Sequence, residues 1–171
     1  MTIAELTLRM IDYSKGNLRD ICHFLKVHAY AATIGQLEGL DTDTQYLLEA
    51  TALVHDIAIP TCRVKYGKAP GYLQEQESDA VVRAFFADTD MPTETVDRIA
   101  FLCAHHHSPS PVYGMDHQIL LEADYLVNAH EADFTREHIL ATRDGMFRTS
   151  AGLTILNSAF SEKLSGPLEA E

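Results

Sequence analysis

The sequence feature that most constrains this chain is a greasy helical run that ends on two ionisable groups. Tyr46-Leu47-Leu48-Glu49-Ala50-Thr51-Ala52-Leu53-Val54 leads directly into His55-Asp56, and Ile57-Ala58-Ile59-Pro60 follows at once. A histidine and a carboxylate at the inner end of such a helix are costly to bury unless something binds them. A metal ion does this well, because neutral imidazole and ionised carboxylate are both good ligands. The fold must therefore close around a polar centre, and other parts of the chain must supply its remaining partners.

Helical periodicity runs through the whole sequence, and no alternation strong enough for a sheet appears. It predicts helices over about 2–13, 17–39, 42–57, 75–88, 92–107, 116–131, 135–143 and 150–163. Gly39 can end the second, and Asp41 or Thr42 can cap the third. Residues 58–74 hold Pro60, Gly67, Pro70 and Gly71 and read as a loop, as does 108–114. The tail from Ser165 is expected to fray. The fold class is all-α.

Four of these helices aim polar groups inward. His23 shares a face with Val27, Tyr30, Ala31 and Ile34; taken alone, it reads as a hydrogen-bonded core histidine. His28 lies well round the same helix. His55 continues the stripe of Thr44, Leu48, Thr51 and Ala52, with Asp56 one step round; the plainer alternative is a histidine capping the helix end, held by Asp56. In His105-His106-His107, His106 continues the Ile99, Leu102, Cys103 stripe, His107 sits at the helix end, and His105 turns toward solvent. Asp124 lies among Leu120, Leu121 and Val127, with no arginine evidently placed to pair with it. Each residue has a bland reading, but four helices delivering His or Asp from their apolar sides point to a metal site inside a bundle.

With 171 residues the chain suits one domain with a proper core. Thirteen Lys and Arg against 25 Asp and Glu give a net charge of -12. That balance excludes nucleic-acid polymer as a bulk partner, since phosphate backbones want a basic surface. A small phosphorylated molecule stays compatible, because bound metal can reverse the local sign. Cys22, Cys62 and Cys103 show no CxxC spacing, and Met1-Thr2-Ile3-Ala4-Glu5 lacks a secretory pattern. Reduced thiols, a cytoplasmic location and no membrane partner are expected.

His23, His55-Asp56 and Asp124, in that order, resemble the H…HD…D signature of the HD-domain superfamily of metal-dependent phosphohydrolases. The flanks agree: His23-x-x-x-Val27-x-x-x-Ala31, Ala52-Leu53-Val54-His55-Asp56-Ile57 and Glu122-Ala123-Asp124-Tyr125-Leu126 are similar to the corresponding family segments. The resemblance spans 17–131 and implies one HD-type domain over 1–171, with the helices of 135–163 packed on that core. It also implies one divalent ion (Mn, Fe, Ni, Co or Mg) held by His23, His55, Asp56 and Asp124. Some branches bind two ions, using an adjacent histidine pair, which His106-His107 resembles, and one earlier histidine. Here that earlier stretch, 72–80, has no histidine; Glu77 or Glu75 could stand in, or both could simply be an acidic first helical turn. The family's lysine after the HD pair is absent. Lys65-Tyr66-Gly67-Lys68 offers a basic loop for phosphate, with a solvated surface loop as the alternative, and Arg63, Arg19 and Arg98 are the other basic candidates.

The resemblance implies hydrolysis of a small phosphorylated molecule, with a nucleotide expected. Asp56 would serve as ligand and orienting base, Glu77 would take a proton from water, and His107 would stabilise charge on the phosphate. Lys65, Tyr66 and Lys68 would contact the substrate. Two rival readings are a di-iron oxygenase cleaving C–C or C–P bonds and a non-catalytic ligand sensor. The apolar run Leu153-Thr154-Ile155-Leu156 could pack internally or form a homo-oligomer.

Overall fold

The computed structural model describes residues 1–165, and among them it contains helices and no strand. In chain order these are α1 (Ile3–Tyr13), α2 (Leu18–Leu37), α3 (Thr42–Ala52), α4 (Ile59–Tyr66), α5 (Gly71–Phe86), α6 (Thr93–Cys103), α7 (Met115–Glu131), α8 (Arg136–Met146), α9 (Ser150–Ala159) and α10 (Ser161–Ser165). Side-chain caps fix many of the starts. Thr2 and Glu5 form a reciprocal capping box on α1, and Asn17, Asp41, Thr135 and Thr149 each accept from backbone N–H groups at the starts of α2, α3, α8 and α9. Each such cap is worth about 1 kcal/mol.

α7 is the axis of the bundle. Thirteen of its seventeen residues are buried, so protein covers it on nearly every side. One apolar cluster joins it to α2, α3 and the C-terminal helices through Val27, Ile34, Leu48, Leu120, Ile139 and Leu156. A second cluster ties α1, α3, α5 and α6 together through Leu6, Met10, Leu53, Val82, Phe86 and Ile99. α2, α3 and α6 contribute to both, and the polar centre lies along that seam. The 153–156 run packs internally: Leu156 is fully buried, and Leu153 and Ile155 rest against the first cluster. No helix among the described residues is long and apolar enough to cross a membrane.

Two expectations need correction. Residues 58–74 are not a loop; they form α4 and the first turn of α5. Pro60 sits in the first turn of α4, where its missing N–H costs nothing, and Pro70 precedes α5, so both prolines start helices here. Second, α3 stops at Ala52 and α6 at Cys103, short of the histidines. His55 and the 105–107 run therefore lie on turns just beyond the helix ends. The reason is local. His55 Nδ1 hydrogen-bonds to the Ala52 carbonyl at 2.9 Å and His106 Nδ1 to the Cys103 carbonyl at 2.8 Å, so each imidazole satisfies the last carbonyl of its helix. The expected frayed tail falls on 166–171, outside the described residues, while Ser165 closes α10.

Candidate metal centre

α2, the turn after α3, and α7 bring His23, His55, Asp56 and Asp124 to one point. His23 Nε2 is 3.2 Å from His55 Nε2 and 3.2 Å from Asp124 Oδ1. His55 Nε2 is 3.4 Å from that same oxygen, and Asp56 Oδ2 lies 3.8 and 3.7 Å from the two imidazole nitrogens. Donors bound at about 2.0–2.2 Å to one ion stand roughly 3.0–3.5 Å apart, so the His23, His55 and Asp124 spacings match the edges of a coordination shell, with Asp56 a few tenths of an ångström farther out.

The tautomers sharpen the match. His55 Nδ1 faces a backbone carbonyl, and His23 Nδ1 faces Glu131 Oε2 at 3.2 Å. Both Nδ1 atoms must then carry the proton, which leaves both Nε2 lone pairs pointing at one another and at a carboxylate. Asp124 Oδ1 is buried and has no hydrogen-bond partner. Such an arrangement is repulsive unless positive charge sits within it, and a divalent cation satisfies all the groups at once. The electrostatics agree. Burial pushes the Asp124 and Asp56 carboxyls up, but the neighbouring histidines outweigh it and hold both well below the usual carboxylate range. Burial likewise opposes charge on His23 and His55, yet Asp124 and Asp56 raise both above the ordinary histidine value, so without an ion the carboxylates draw protons toward the Nε2 atoms, into the place a cation would take.

Asp56 has a second face. Its Oδ1 lies 3.0 Å from His106 Nε2 and 3.7 Å from His107 Nε2, forming a second group that could hold an ion. His106 is buried and offers Nε2, because its Nδ1 is committed to Cys103. Burial and the adjacent His106 push the His107 imidazole down to about 4, so it stays neutral near pH 7. Its ring packs against Gly71, where a Cβ would come within 2.7 Å of Cγ. His105 turns away as expected, but it stacks on Phe101 rather than standing free in solvent. His28 pairs with Glu49, away from the centre.

Sequence reasoning missed the groups that support these donors. Asn128 Nδ2 donates to Asp124 Oδ2 at 2.9 Å, and Glu131 binds both His23 and Lys26. The signal was present: Asp124, Asn128 and Glu131 fall at i, i+4 and i+7, one stripe of α7. Buried His117 was also missed. Its Nε2 donates to the carbonyl of His105 at 3.2 Å and its Nδ1 accepts from the Tyr113 N–H, which fastens the histidine run to α7. Glu131→Ala removes the acceptor that orients His23 and is expected to weaken metal binding about 10–100-fold. Competition against a chromogenic chelator measures this, and an unchanged affinity would contradict the role.

Other expected site residues sit elsewhere. Glu77 is bound by Lys65 Nζ at 2.8 Å and Tyr66 Oη at 2.6 Å, a trio joining α4 to α5 and facing a different cavity from the one beside Asp56. Lys68 is exposed. Glu75 accepts from Ser108 Oγ at 2.9 Å, next to His107 in the chain. The structure thus does not bring Lys65, Tyr66, Lys68 and Glu77 to the donors. The cavity that reaches His23 and Asp56, about 170 Å³, carries Arg19 and Arg63 on its wall instead. Arg19 stands one turn before His23 on α2, whereas the approach of Arg63 depends on how α4 folds back, which a loop reading of 58–74 concealed. Comparison of the chain with protein-family models, with curated proteins and with solved structures finds no significant match.

Proposed function

We propose that this protein is a divalent-metal-dependent phosphohydrolase of the HD type, acting on a small phosphorylated molecule. The observation that carries the reading is the convergence of His23, His55, Asp56 and Asp124, in the order of the resembled signature, with opposed imidazole lone pairs and an unpartnered carboxylate oxygen. An ion held there supplies Lewis acidity toward a phosphoryl oxygen and lowers the pKa of water. Asp56 keeps the two groups of donors in register. Neutral His107, half-open to the site and 3.7 Å from Asp56 Oδ1, offers a hydrogen-bonding nitrogen to water or to a phosphoryl oxygen. Arg63 and Arg19 stand where a phosphate would meet them.

A second reading is favoured by one specific observation: Asp56 presents its two oxygens to separate histidine groups. That is the geometry for a carboxylate bridging two ions, and it suits the di-iron alternative. One experiment separates the two. Protein purified anaerobically is analysed for metal, then reloaded with Mn, Co, Ni, Mg or Fe and assayed for phosphate and pyrophosphate release across a panel of phosphoesters. Release with a divalent ion and no oxygen requirement is expected. Two irons per chain with oxygen uptake and no hydrolysis would overturn the phosphohydrolase reading in favour of the second.

A further inference from the structure

In a protein with net charge -12, three of the thirteen basic side chains gather at one opening. Arg19 and Arg63 line the 170 Å³ chamber beside His23 and Asp56. Outside it lies an open trough of about 420 Å³, which shares Arg19 and Glu131 with the chamber and adds Lys26, Cys22 and Leu18. Lys26 is paired with Glu131, and Arg63 leans on Asp20 at 3.4 Å. Among the described residues Arg19 has no ion-pair partner, so it is the surplus positive charge at the mouth. Inside, one divalent ion would offset Asp56 and Asp124, and a second ion would add to the surplus. Such a mouth favours a multiply charged anion.

Size and surface narrow the anion further. The chamber, about 170 Å³, encloses a phosphoryl group and little more, since pockets that enclose a drug-sized ligand run to roughly 300–1,000 Å³, and the trough outside it is open to solvent. A nucleoside also wants an aromatic face to stack on. Among the described residues the one Phe, Tyr or Trp lining either space is Phe24, which is buried and set edge-on to His55, and the His23 ring beside it is held among the donors. Building on the phosphohydrolase reading, we infer that the substrate is a compact, non-nucleoside phosphomonoester. Its phosphoryl oxygens pair with Arg19 and Arg63 in the chamber, and its short organic remainder lies in the trough beside Leu18 and Lys26. This replaces the nucleotide expected from sequence. Hydrolysis then forms a P–O bond to the oxygen of water and breaks the P–O bond to the alcohol. One water proton ends on the departing alkoxide oxygen, and nothing is oxidised or reduced.

The test uses the Mn-loaded full chain and inorganic phosphate as the binding probe, read by titration calorimetry. Arg63→Gln and Arg19→Gln are each expected to weaken phosphate binding about tenfold while bound metal stays at the wild-type level, with Arg63→Lys recovering part of the loss. Kinetically, the glutamine variants should raise KM for glycerol 3-phosphate more than they lower kcat, and wild-type kcat/KM should favour that ester over AMP by at least tenfold. Wild-type phosphate affinity in both variants, or a preference for AMP, overturns the inference while leaving the phosphohydrolase reading intact. Absence of any hydrolysis fells that reading instead, and the anion pocket is then judged by phosphate binding alone: retained and arginine-dependent supports it, absent overturns it.

Discussion

Asp56→Ala is expected to strip the protein of metal and of activity together. Asp56 is the one residue whose two oxygens reach both groups of donors, at 3.7–3.8 Å on one side and 3.0–3.7 Å on the other. Removing it deletes a ligand from each and leaves His55 and His106, both buried, without the carboxylate between them. Lewis-acid assistance is worth several kcal/mol to phosphoryl transfer, so turnover should fall on the order of 10³-fold or more. His107→Ala touches one side alone and should keep the ion at His23, His55 and Asp124. Elemental analysis beside a phosphate-release assay checks both variants. A full metal complement in Asp56→Ala would refute the arrangement.

The largest effect on stability is expected far from that centre, at Glu122. This carboxylate is fully buried on α7. It accepts from Gln118 Nε2 at 2.7 Å, from the backbone N–H groups of Arg148 at 2.7 Å and Thr149 at 3.0 Å, and from the Thr149 hydroxyl. It therefore clamps the 147–149 connection to the bundle axis at the start of α9. Glu122→Ala removes the acceptor of all four; Gln118 Nε2 keeps the Met146 carbonyl at 2.9 Å, but the Thr149 N–H, the Thr149 hydroxyl and the half-buried Arg148 N–H lose theirs, at a cost of roughly 1–3 kcal/mol for each one that water cannot reach. Since such losses are not additive, a destabilisation of about 3–5 kcal/mol is expected. For a chain of this size that lowers Tm by roughly 10 °C. Gly152→Ala should act similarly, because a Cβ there would overlap the Glu122 carboxylate. Calorimetric melting tests both; a Tm within two degrees of wild type would show that the clamp carries little.

The donors were legible in the sequence because each is a polar group on an apolar stripe, a placement that is rarely left unexplained. His23, His55, Asp56, His106 and Asp124 all announce themselves in this way. Both readings of His55 hold in part: its Nδ1 caps the helix end while its Nε2 stays available. The helix ends were not legible, because the apolar pattern continues past Ala52 while the carbonyl there is taken by a side chain. α4 was hidden because proline and glycine mark both loops and the boundaries of short helices. Nothing in the sequence signals that Lys65 and Glu77, 12 residues apart, pair with each other and with the Tyr66 hydroxyl, so the roles expected of Lys65, Tyr66 and Lys68 toward substrate and of Glu77 toward water leave that pairing out.

Because His55 and His106 are each pinned to the last carbonyl of a helix, their free nitrogens are aimed by the backbone itself. The socket is thus cast during folding, with no coil-to-structure step left for the arriving ion to drive. Uptake should follow a single bimolecular phase without a change in helix content, unlike small zinc domains that order only as they load.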